Sequence, residues 1–346
     1  MVSLLLSPYE ENGIFLKNRV VMPPMCMYKA ESDGEVTPFH LVHYTTRAMG
    51  GVGLIIVEAT AVEARGRISE ADLGLWDDAQ VPGHQQLVHL CHEYGAKMGI
   101  QLAHAGRKSL CASSTPVAPS PLAFSESNGY KLPHELSLAE LEGIKKHFVQ
   151  AALRATYAGY EFLELHAAHG YLLCEFLSPL TNQRTDQYGG SVENRCAFVI
   201  EVAQAILDAT ETVPLFVRIS ADEWMEKGWN IEESIYLAKK LQSMGVAMIH
   251  VSAGGNNEAQ NMPPLVPLVP LYQAAYAKVI RESVGIPTIA VGLITTAAEG
   301  EKLLQGGFCD LVAYGRELLR NPNFVFYAAK EEGKKALIEP SYVRAF

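Results

Sequence analysis

The sequence lacks the features that mark membrane-spanning, secreted and nucleic-acid-binding proteins. None of its apolar runs approaches the roughly 20 residues that cross a bilayer. Its 28 Lys and Arg residues are outnumbered by 38 Asp and Glu residues, and the formal net charge of −10 argues against a polyanionic partner such as nucleic acid. The segment Met1–Glu11 has no basic residue before its short apolar run, so it is a poor signal peptide.

Cysteine is scarce and scattered. The six cysteines are Cys26, Cys91, Cys111, Cys174, Cys196 and Cys309, and no two of them form a C-x-x-C motif. The sequence also has no N-x-[ST] glycosylation site. This pattern is typical of a reducing compartment and excludes a disulfide framework and a zinc ribbon. With 49% apolar and 19% charged residues, the chain can bury a large core, and we expect a cytoplasmic protein of enzyme size.

Motifs for nucleotide binding on an open sheet are missing too. The sequence contains no G-x-G-x-x-G and no G-x-x-x-x-G-K-[ST], which disfavours a doubly wound fold. It contains instead eight short runs rich in Val and Ile, each typical of a strand buried on both faces. These predicted strands are Arg19–Met22, Leu54–Ala59, Met98–His104, Phe162–His166, Leu215–Ser220, Met248–Ala253, Thr288–Gly292 and Leu311–Gly315. The amphipathic stretches that follow them predict helices over Thr37–Gly50, Pro82–Gly95, Ser137–Gly159, Ser191–Thr210, Ile231–Gly245, Leu271–Gly285, Thr296–Gly306 and Asn321–Glu332.

Eight strands, each followed by a helix, predict an α/β fold of the (β/α)8 TIM-barrel class. Such a barrel needs about 250 residues, so about 100 of the 346 remain for long loops and a tail. We therefore expect one domain over residues 1–346. Its long loops are a capping excursion at 105–136 after the third strand, a loop at 167–190 after the fourth and a loop at 254–270 after the sixth, of which the segment 261–270 is proline-rich. Residues 333–346 form a C-terminal tail.

In a barrel of this kind, polar residues at the carboxyl ends of the strands converge on one site. Arg218 lies within the otherwise apolar fifth strand, and an unpaired buried guanidinium is very costly. Its anionic partner is either Glu58 or Glu164 in a salt bridge, or a bound anion.

Two glycines predict where a phosphate binds. Gly292 and Gly315 lie after the seventh and eighth strands, and Arg316 follows the second of them. Barrels bind phosphate at this place through backbone N–H groups and a helix N-terminus. A tight turn is the alternative interpretation for each glycine alone, whereas the pair together with Arg316 favours a phosphate site.

Histidines near the ends of the third and fourth strands allow two interpretations. His104, His166 and His169 are the candidates for a metal-dependent hydrolase, but the spacing of a metal site is absent, and we predict no bound metal. His166 and His169, with Tyr171 two residues further on, form a cluster that can hold an oxyanion and supply a proton.

Several strings of the sequence resemble motifs of the old yellow enzymes, from about residue 7 to the C-terminus. They are V-V-M-P-P-M-C-M-Y at 20–28, T-P-F-H at 37–40, Q-L-A-H-A-G-R at 101–107, H-A-A-H-G-Y at 166–171, E-F-L-S-P at 175–179, N-Q-R-T-D-Q-Y-G-G-S at 182–191 and G-R-E-L-L at 315–319. The strings H-A-A-H-G-Y-L and R-T-D-x-Y-G-G-S are highly specific motifs of this family. Cysteine at position 26 together with Tyr28 resembles the thermophilic-like branch of bacterial members.

The resemblance implies a (β/α)8 barrel that binds FMN. The residues implied to line the flavin ring are Pro24, Cys26, Ala59 and Gln101. Arg218 is implied to face the N1/C2 carbonyl edge, and Cys26 to tune the reduction potential. The residues implied to hold the phosphate are Gly292, Gly315 and Arg316.

The activity implied is that of an NADPH dehydrogenase, or ene-reductase, which reduces the C=C bond of α,β-unsaturated carbonyl or nitro compounds. Hydride passes in a ping-pong reaction from NADPH or NADH to flavin N5 and then to the alkene. His166, His169 and Tyr28 are implied to bind the substrate, and Tyr171 to protonate it. Lys108 lies at the rim of the site.

The resemblance also implies a homodimer or homotetramer with shared active sites, in which Arg344 of the tail enters the neighbouring subunit's site. Two alternatives keep FMN on the same fold. One is a nitro-compound or enoate-type reductase. The other is a non-catalytic redox sensor in which Cys26 is the switch.

Overall fold

Eight parallel strands form a closed barrel in the computed structural model, which describes residues 3–11, 13–258 and 269–346. The strands, in barrel order, are β3 (Val20–Met22), β4 (Leu54–Ala61), β5 (Lys97–Ala103), β8 (Phe162–Ala167), β9 (Leu215–Ser220), β10 (Met248–Ser252), β11 (Thr288–Ala290) and β12 (Leu311–Ala313). Pairing of β12 with β3 closes the barrel. The predicted (β/α)8 fold is therefore confirmed.

The helices that follow the strands pack around the outside of the barrel. They are α1 (Pro38–Met49), α2 (Val81–His92), α3 (Leu138–Ala158), α5 (Val192–Ala209), α6 (Ile231–Ser243), α7 (Ala274–Val284), α8 (Ala297–Gln305) and α10 (Phe324–Glu331). A capping box forms at the start of α3, where Ser137 accepts a hydrogen bond from the Glu140 N–H and the Glu140 carboxylate accepts one from the Ser137 N–H. Gly159 ends that helix at φ 97°, a left-handed conformation that favours glycine.

The amino-terminal end of the barrel is filled with apolar side chains and closed by a hairpin. The hairpin strands are β1 (Tyr9–Glu11) and β2 (Ile14–Leu16). Tyr9, Ile14 and Leu16 pack on a cluster inside the barrel made by Val21, Leu54, Ile56, Phe162, Phe216, Met248, Ile289, Leu311 and Ala313. This apolar packing covers the amino-terminal end, and the cavity lined by polar residues lies at the carboxyl ends of the strands.

Short elements occupy the long loops. Within 105–136, β6 (Val117–Ala118) pairs with β7 (His134–Glu135). The helix α4 (Leu172–Leu177) lies in the loop after β8, and α9 (Arg316–Arg320) follows β12. Of the proline-rich segment 261–270, residues 261–268 lie outside the described residues.

The C-terminal tail packs on α10. The ring of Phe346 lies 4.9 Å from that of Tyr327 and 5.8 Å from that of Phe326. Within the described part of the chain, no helix combines the length and the apolar character that a membrane crossing requires.

Candidate active site

A cavity of about 610 Å³ opens at the carboxyl ends of the strands, a volume typical of cofactor and ligand sites. Of the residues singled out in the sequence, those that line it are Lys108, His169, Tyr171, Arg218, Ser252, Gly292, Gly315 and Arg316. The other predicted site residues lie on or after β3, β4, β5 and β8, outside this lining: Pro24, Cys26, Tyr28, Ala59, Gln101 and His166.

Arg218 reaches the cavity from the middle of β9 and has no anionic partner in contact among the residues that the structure describes. Its side chain is buried, and its Nε has no hydrogen-bond partner among the described residues. Neither Glu58 nor Glu164 lies within 4.0 Å of the guanidinium, although the Glu164 charge favours the protonated form of Arg218. The salt-bridge alternative is therefore wrong, and a buried cation faces the cavity. Such a cation calls for an anionic ligand.

Glu164 makes other contacts inside the barrel. Its Oε1 accepts a hydrogen bond from Nε2 of Gln101 at 2.7 Å, and its Oε2 lies 2.8 Å from Nδ1 of His250. All three residues are buried. They lie on β8, β5 and β10, where Gln101 is in register with Glu164 and His250 is in register with Arg218 of β9.

His166, the next-to-last residue of β8, forms a compact cluster with His169 and Tyr171, which follow the strand. The ring of His166 lies 5.2 Å from that of His169 and 5.0 Å from that of Tyr171. The backbone N–H of His169 donates to Oγ of Ser220 at 2.9 Å, and Nε2 of His169 lies 2.7 Å from Oγ of Ser252. These bonds hold His169 at φ 62°, a conformation that non-glycine residues seldom adopt.

The protonation states follow from burial and from Arg218. Burial, reinforced by the Arg218 charge, moves the pKa of His166 and of His169 well below the usual histidine range, so both imidazoles are neutral near pH 7. The N–H of Ala168 donates to Nδ1 of His166 at 3.3 Å, which leaves the ring proton on Nε2. Burial raises the pKa of Tyr171 well above its usual value, so its hydroxyl keeps its proton.

Lys108 connects three loops at the cavity wall. Its Nζ donates to the carbonyl oxygens of His169 at 3.0 Å and Gly255 at 3.1 Å. The same nitrogen lies 4.5 Å from the ring centre of Phe124 and 5.1 Å from that of Tyr171. Burial lowers the pKa of Lys108 to about 8.

Glu58 holds the segment that follows β3. Its Oε2 accepts a hydrogen bond from the Met27 N–H at 2.7 Å, and its Oε1 accepts one from the Tyr44 hydroxyl at 3.1 Å. The next residue, Tyr28, is 47% exposed and has φ 54°. Burial raises the pKa of the Cys26 thiol, so this cysteine remains protonated.

The glycine-bearing loops after β11 and β12 form the far wall of the cavity. Gly292 has φ 127°, and a Cβ there would approach Oε1 of Gln273 to 3.1 Å, so this position requires glycine. Arg316 is exposed beside the cavity and makes no hydrogen bond or ion pair with any residue the structure describes. An unpaired arginine beside such a loop fits an anionic group such as phosphate.

Two polar residues after β5, His104 and Arg107, lie outside the lining of the cavity. Nε2 of His104 lies 2.8 Å from Oε1 of Glu63, and its Nδ1 accepts a hydrogen bond from the Gly106 N–H. Nη2 of Arg107 donates to the carbonyl oxygen of Asn256. Across 3–11, 13–258 and 269–346, no group of three or more His, Cys, Asp or Glu side chains has the geometry to hold a metal ion.

Two aromatic residues of the cavity wall were missed in the sequence. Trp224 follows β9 and has φ 53°, and Tyr272 precedes α7. Their rings lie 6.2 Å apart. The only local signal for Trp224 was a large aromatic residue just past the end of the arginine-bearing strand.

Arg344 lies in the tail, outside the cavity of its own chain. It is exposed and belongs to a short helical turn, Val343–Ala345. Its position on the surface leaves it free to contact another molecule.

Comparison with known proteins places this site in a family. The sequence model of the NADH:flavin oxidoreductase / NADH oxidase family matches residues 5–335 of the chain. The chain is 47% identical to an NADPH dehydrogenase of Geobacillus thermodenitrificans, over 100% of this chain and 99% of that protein. It is 46% identical to an NADPH dehydrogenase of Bacillus cytotoxicus, over 100% of this chain and 97% of that protein.

Solved structures show the same architecture. Morphinone reductase superimposes with a TM-score of 0.82 at 29% identity, over 96% of this chain and 90% of that chain. A structure of the same enzyme in complex with tetrahydroNAD gives a TM-score of 0.80.

Proposed function

The chain belongs to the NADH:flavin oxidoreductase / NADH oxidase family, which includes the old yellow enzymes, and on this premise we propose that it is an FMN-dependent ene-reductase. Its substrates are α,β-unsaturated carbonyl or nitro compounds, and its reductant is NADPH or NADH. The relatives called NADPH dehydrogenase and the complex of morphinone reductase with tetrahydroNAD support a nicotinamide as the reductant.

The observation that carries the proposal is the unpartnered Arg218. A buried guanidinium that faces a cavity of about 610 Å³, with no anionic side chain of the described part of the chain in contact, fits the electron-rich edge of a flavin ring. Arg316, at the Gly292 and Gly315 loops, fits the phosphate of FMN. The residues proposed to line the ring are Pro24, Cys26, Ala59 and Gln101. When bound, FMN supplies the chemistry that accepts hydride from the nicotinamide and passes it to the alkene.

The residues at the end of β8 and in the loop after it are proposed to bind the substrate and to protonate it. We assign to His166 and His169 the binding of the substrate carbonyl or nitro oxygen, because each neutral imidazole can donate one N–H. Tyr28, on the exposed side, adds a further hydroxyl. Tyr171 then gives its proton to the alkene carbon next to the activating group, and its raised pKa keeps that proton in place near pH 7.

The tail supports a shared active site between subunits. We propose a homodimer or homotetramer in which Arg344 contacts the substrate of a neighbouring chain. In support, Phe346 anchors the tail on Tyr327 and Phe326, while Arg344 remains exposed outside its own cavity. All six cysteines are free thiols, which supports a reducing compartment, the cytoplasm.

The proposal is tested by anaerobic spectroscopy of the purified protein. We expect a yellow protein with one FMN per chain, whose visible absorbance is bleached by NADPH and restored by cyclohexenone or maleimide. A colourless protein that takes up no FMN on reconstitution would overturn the proposal. Bleaching without reoxidation by any enone or nitroalkene of a panel would favour the redox-sensor alternative.

A further inference from the structure

One buried carboxylate beside the site has no role in the proposed reaction. Glu164 is 1% exposed, and both of its oxygens are engaged, one by Gln101 and one by His250. A fully buried glutamate is rare unless its charge is balanced. The charge of Arg218 offsets it only in part, because Glu164 favours the protonated guanidinium but makes no ion pair with it.

The contact with Gln101 determines how that amide is oriented. A carboxylate only accepts hydrogen bonds, so the group of Gln101 that faces Glu164, at 2.7 Å, is its NH2. The amide oxygen is therefore turned away from Glu164. If Glu164 were absent, nothing in this contact would distinguish the two ends of the amide.

The contact with His250 leaves the carboxylate as the charged partner. Burial, with the Arg218 charge adding to it, lowers the pKa of His250, so the imidazole is neutral and its Nδ1–H donates to Glu164 at 2.8 Å. Nε2 of His250 is buried and has no partner among the described residues.

We propose that Glu164 is a positioning residue for FMN, which orients the amide of Gln101 and offsets part of the positive charge that Arg218 presents to the flavin. The inference rests on the proposed function, since it concerns FMN in this cavity. Reduction adds negative charge to a flavin, so a carboxylate at this place disfavours the reduced form. Glu164 thus lowers the reduction potential that Arg218 alone would set.

The direct test is the two-electron reduction potential of FMN in Glu164→Gln. The variant can retain the hydrogen bonds, because His250 can move its proton to the unpartnered Nε2 and accept at Nδ1 from the new amide. We expect the potential to rise, with the reduction equilibrium shifted at least tenfold, which is about 30 mV for a two-electron couple. An unchanged or lowered potential would overturn the charge-offset role.

Two further variants separate the effect of the Glu164 charge from the effect of its hydrogen bonds to Gln101 and His250. Asp310→Asn removes one buried carboxylate charge before β12, at the opposite end of the barrel, where Asp310 binds Arg281 and the Thr288 N–H. We expect it to leave the potential unchanged. Glu164→Asp keeps the charge but is too short to reach both Gln101 and His250, so we expect the FMN dissociation constant to rise about tenfold with little change in potential.

Failure of this proposal and failure of the proposed function would give different experimental results. If the unmodified protein binds no FMN, the proposed function fails. If it binds FMN but Glu164→Asp binds it with unchanged affinity, the positioning role fails, even where Glu164→Gln does not fold. Equal potential shifts in Glu164→Gln and Asp310→Asn would also contradict the proposal, because the effect would then come from net charge alone.

Discussion

The ammonium nitrogen of Lys108 lies 5.1 Å from the ring centre of Tyr171. The same nitrogen is bound to the carbonyl oxygens of His169 and Gly255, so Lys108 joins the loops that carry the proposed proton donor and one of the oxyanion-binding histidines. Tyr171 thereby has a fixed ring position in a buried site, where its hydroxyl remains protonated.

Tyr171→Phe separates the two halves of the proposed reaction. We expect oxidation of the reduced enzyme by cyclohexenone to slow about 100-fold, the typical contribution of a general acid, because the alkene carbon loses its proton source. Reduction of FMN by NADPH needs no such proton and is expected to change little. Stopped-flow absorbance of each half-reaction measures both rates.

The matched control is Tyr188→Phe, which removes another tyrosine hydroxyl, one that donates to Glu201 at 2.9 Å. We expect it to alter neither rate. An equal loss of both half-reactions in Tyr171→Phe would show that the residue shapes the pocket rather than donates the proton.

Arg218→Gln tests the cation that faces the cavity. We expect the FMN dissociation constant to rise about 30- to 1000-fold, which corresponds to about 2–4 kcal/mol, because a buried charge-assisted contact is lost. Arg281→Gln, which removes an arginine paired with Asp310 at the other end of the barrel, is the control and should bind FMN normally. Fluorescence titration of the apoprotein measures both constants, and equal affinities would contradict the role of Arg218.

The buried carboxyl group of Glu175 predicts a pH-dependent stability. Burial raises its pKa to about 8, above the value of about 4.3 in an unfolded chain. Because the folded state holds this proton more tightly, the contribution of Glu175 to stability is lost as the pH rises from about 4.5 to 8.

Glu175→Gln removes that dependence. Between pH 6 and pH 8 we expect the free energy of unfolding of the variant to gain about 1 kcal/mol per pH unit relative to the unmodified protein, as measured by urea denaturation. Glu301→Gln is the control, since hydrogen bonds from the Leu4 and Leu5 N–H groups lower the pKa of Glu301 against the effect of burial, and these partners do not titrate. Its pH dependence should parallel that of the unmodified protein over this range, and a parallel course for Glu175→Gln would contradict the prediction.

Arg344→Ala tests the shared active site. We expect the KM for an enone to rise several-fold while the FMN content stays the same, because the arginine acts on the substrate of a neighbouring chain. Lys335→Ala, another exposed cation of the tail, should leave the KM unchanged. Steady-state kinetics of both variants checks this, and identical KM values in Arg344→Ala and the unmodified protein would show that the tail does not reach a neighbouring site.

The barrel could be predicted because each of its strands is a short apolar run followed by an amphipathic helix. The hairpin β1–β2 could not, since three-residue strands carry too little pattern and its role depends on contacts with distant strands. The helix α4 could not be predicted either. Its six residues are all buried, so its sequence shows no amphipathic period.

Within the site, Arg218 could be predicted because a charge inside an apolar strand demands a partner. The hydrogen-bond partners of Glu164 could not be predicted, because Gln101 and His250 lie on other strands and meet Glu164 only inside the closed barrel. The sequence also cannot show the surroundings of His104, which follows a strand end but contacts Glu63 rather than lining the cavity.

The most direct test of the account is a single turnover in the absence of oxygen. The enzyme is reduced with one equivalent of NADPH per FMN, mixed with excess cyclohexenone, and the products are quantified. We predict one equivalent of cyclohexanone for each FMN reoxidised. Reoxidation without cyclohexanone, or a reduced cofactor that cyclohexenone does not reoxidise, would contradict the assignment as an ene-reductase.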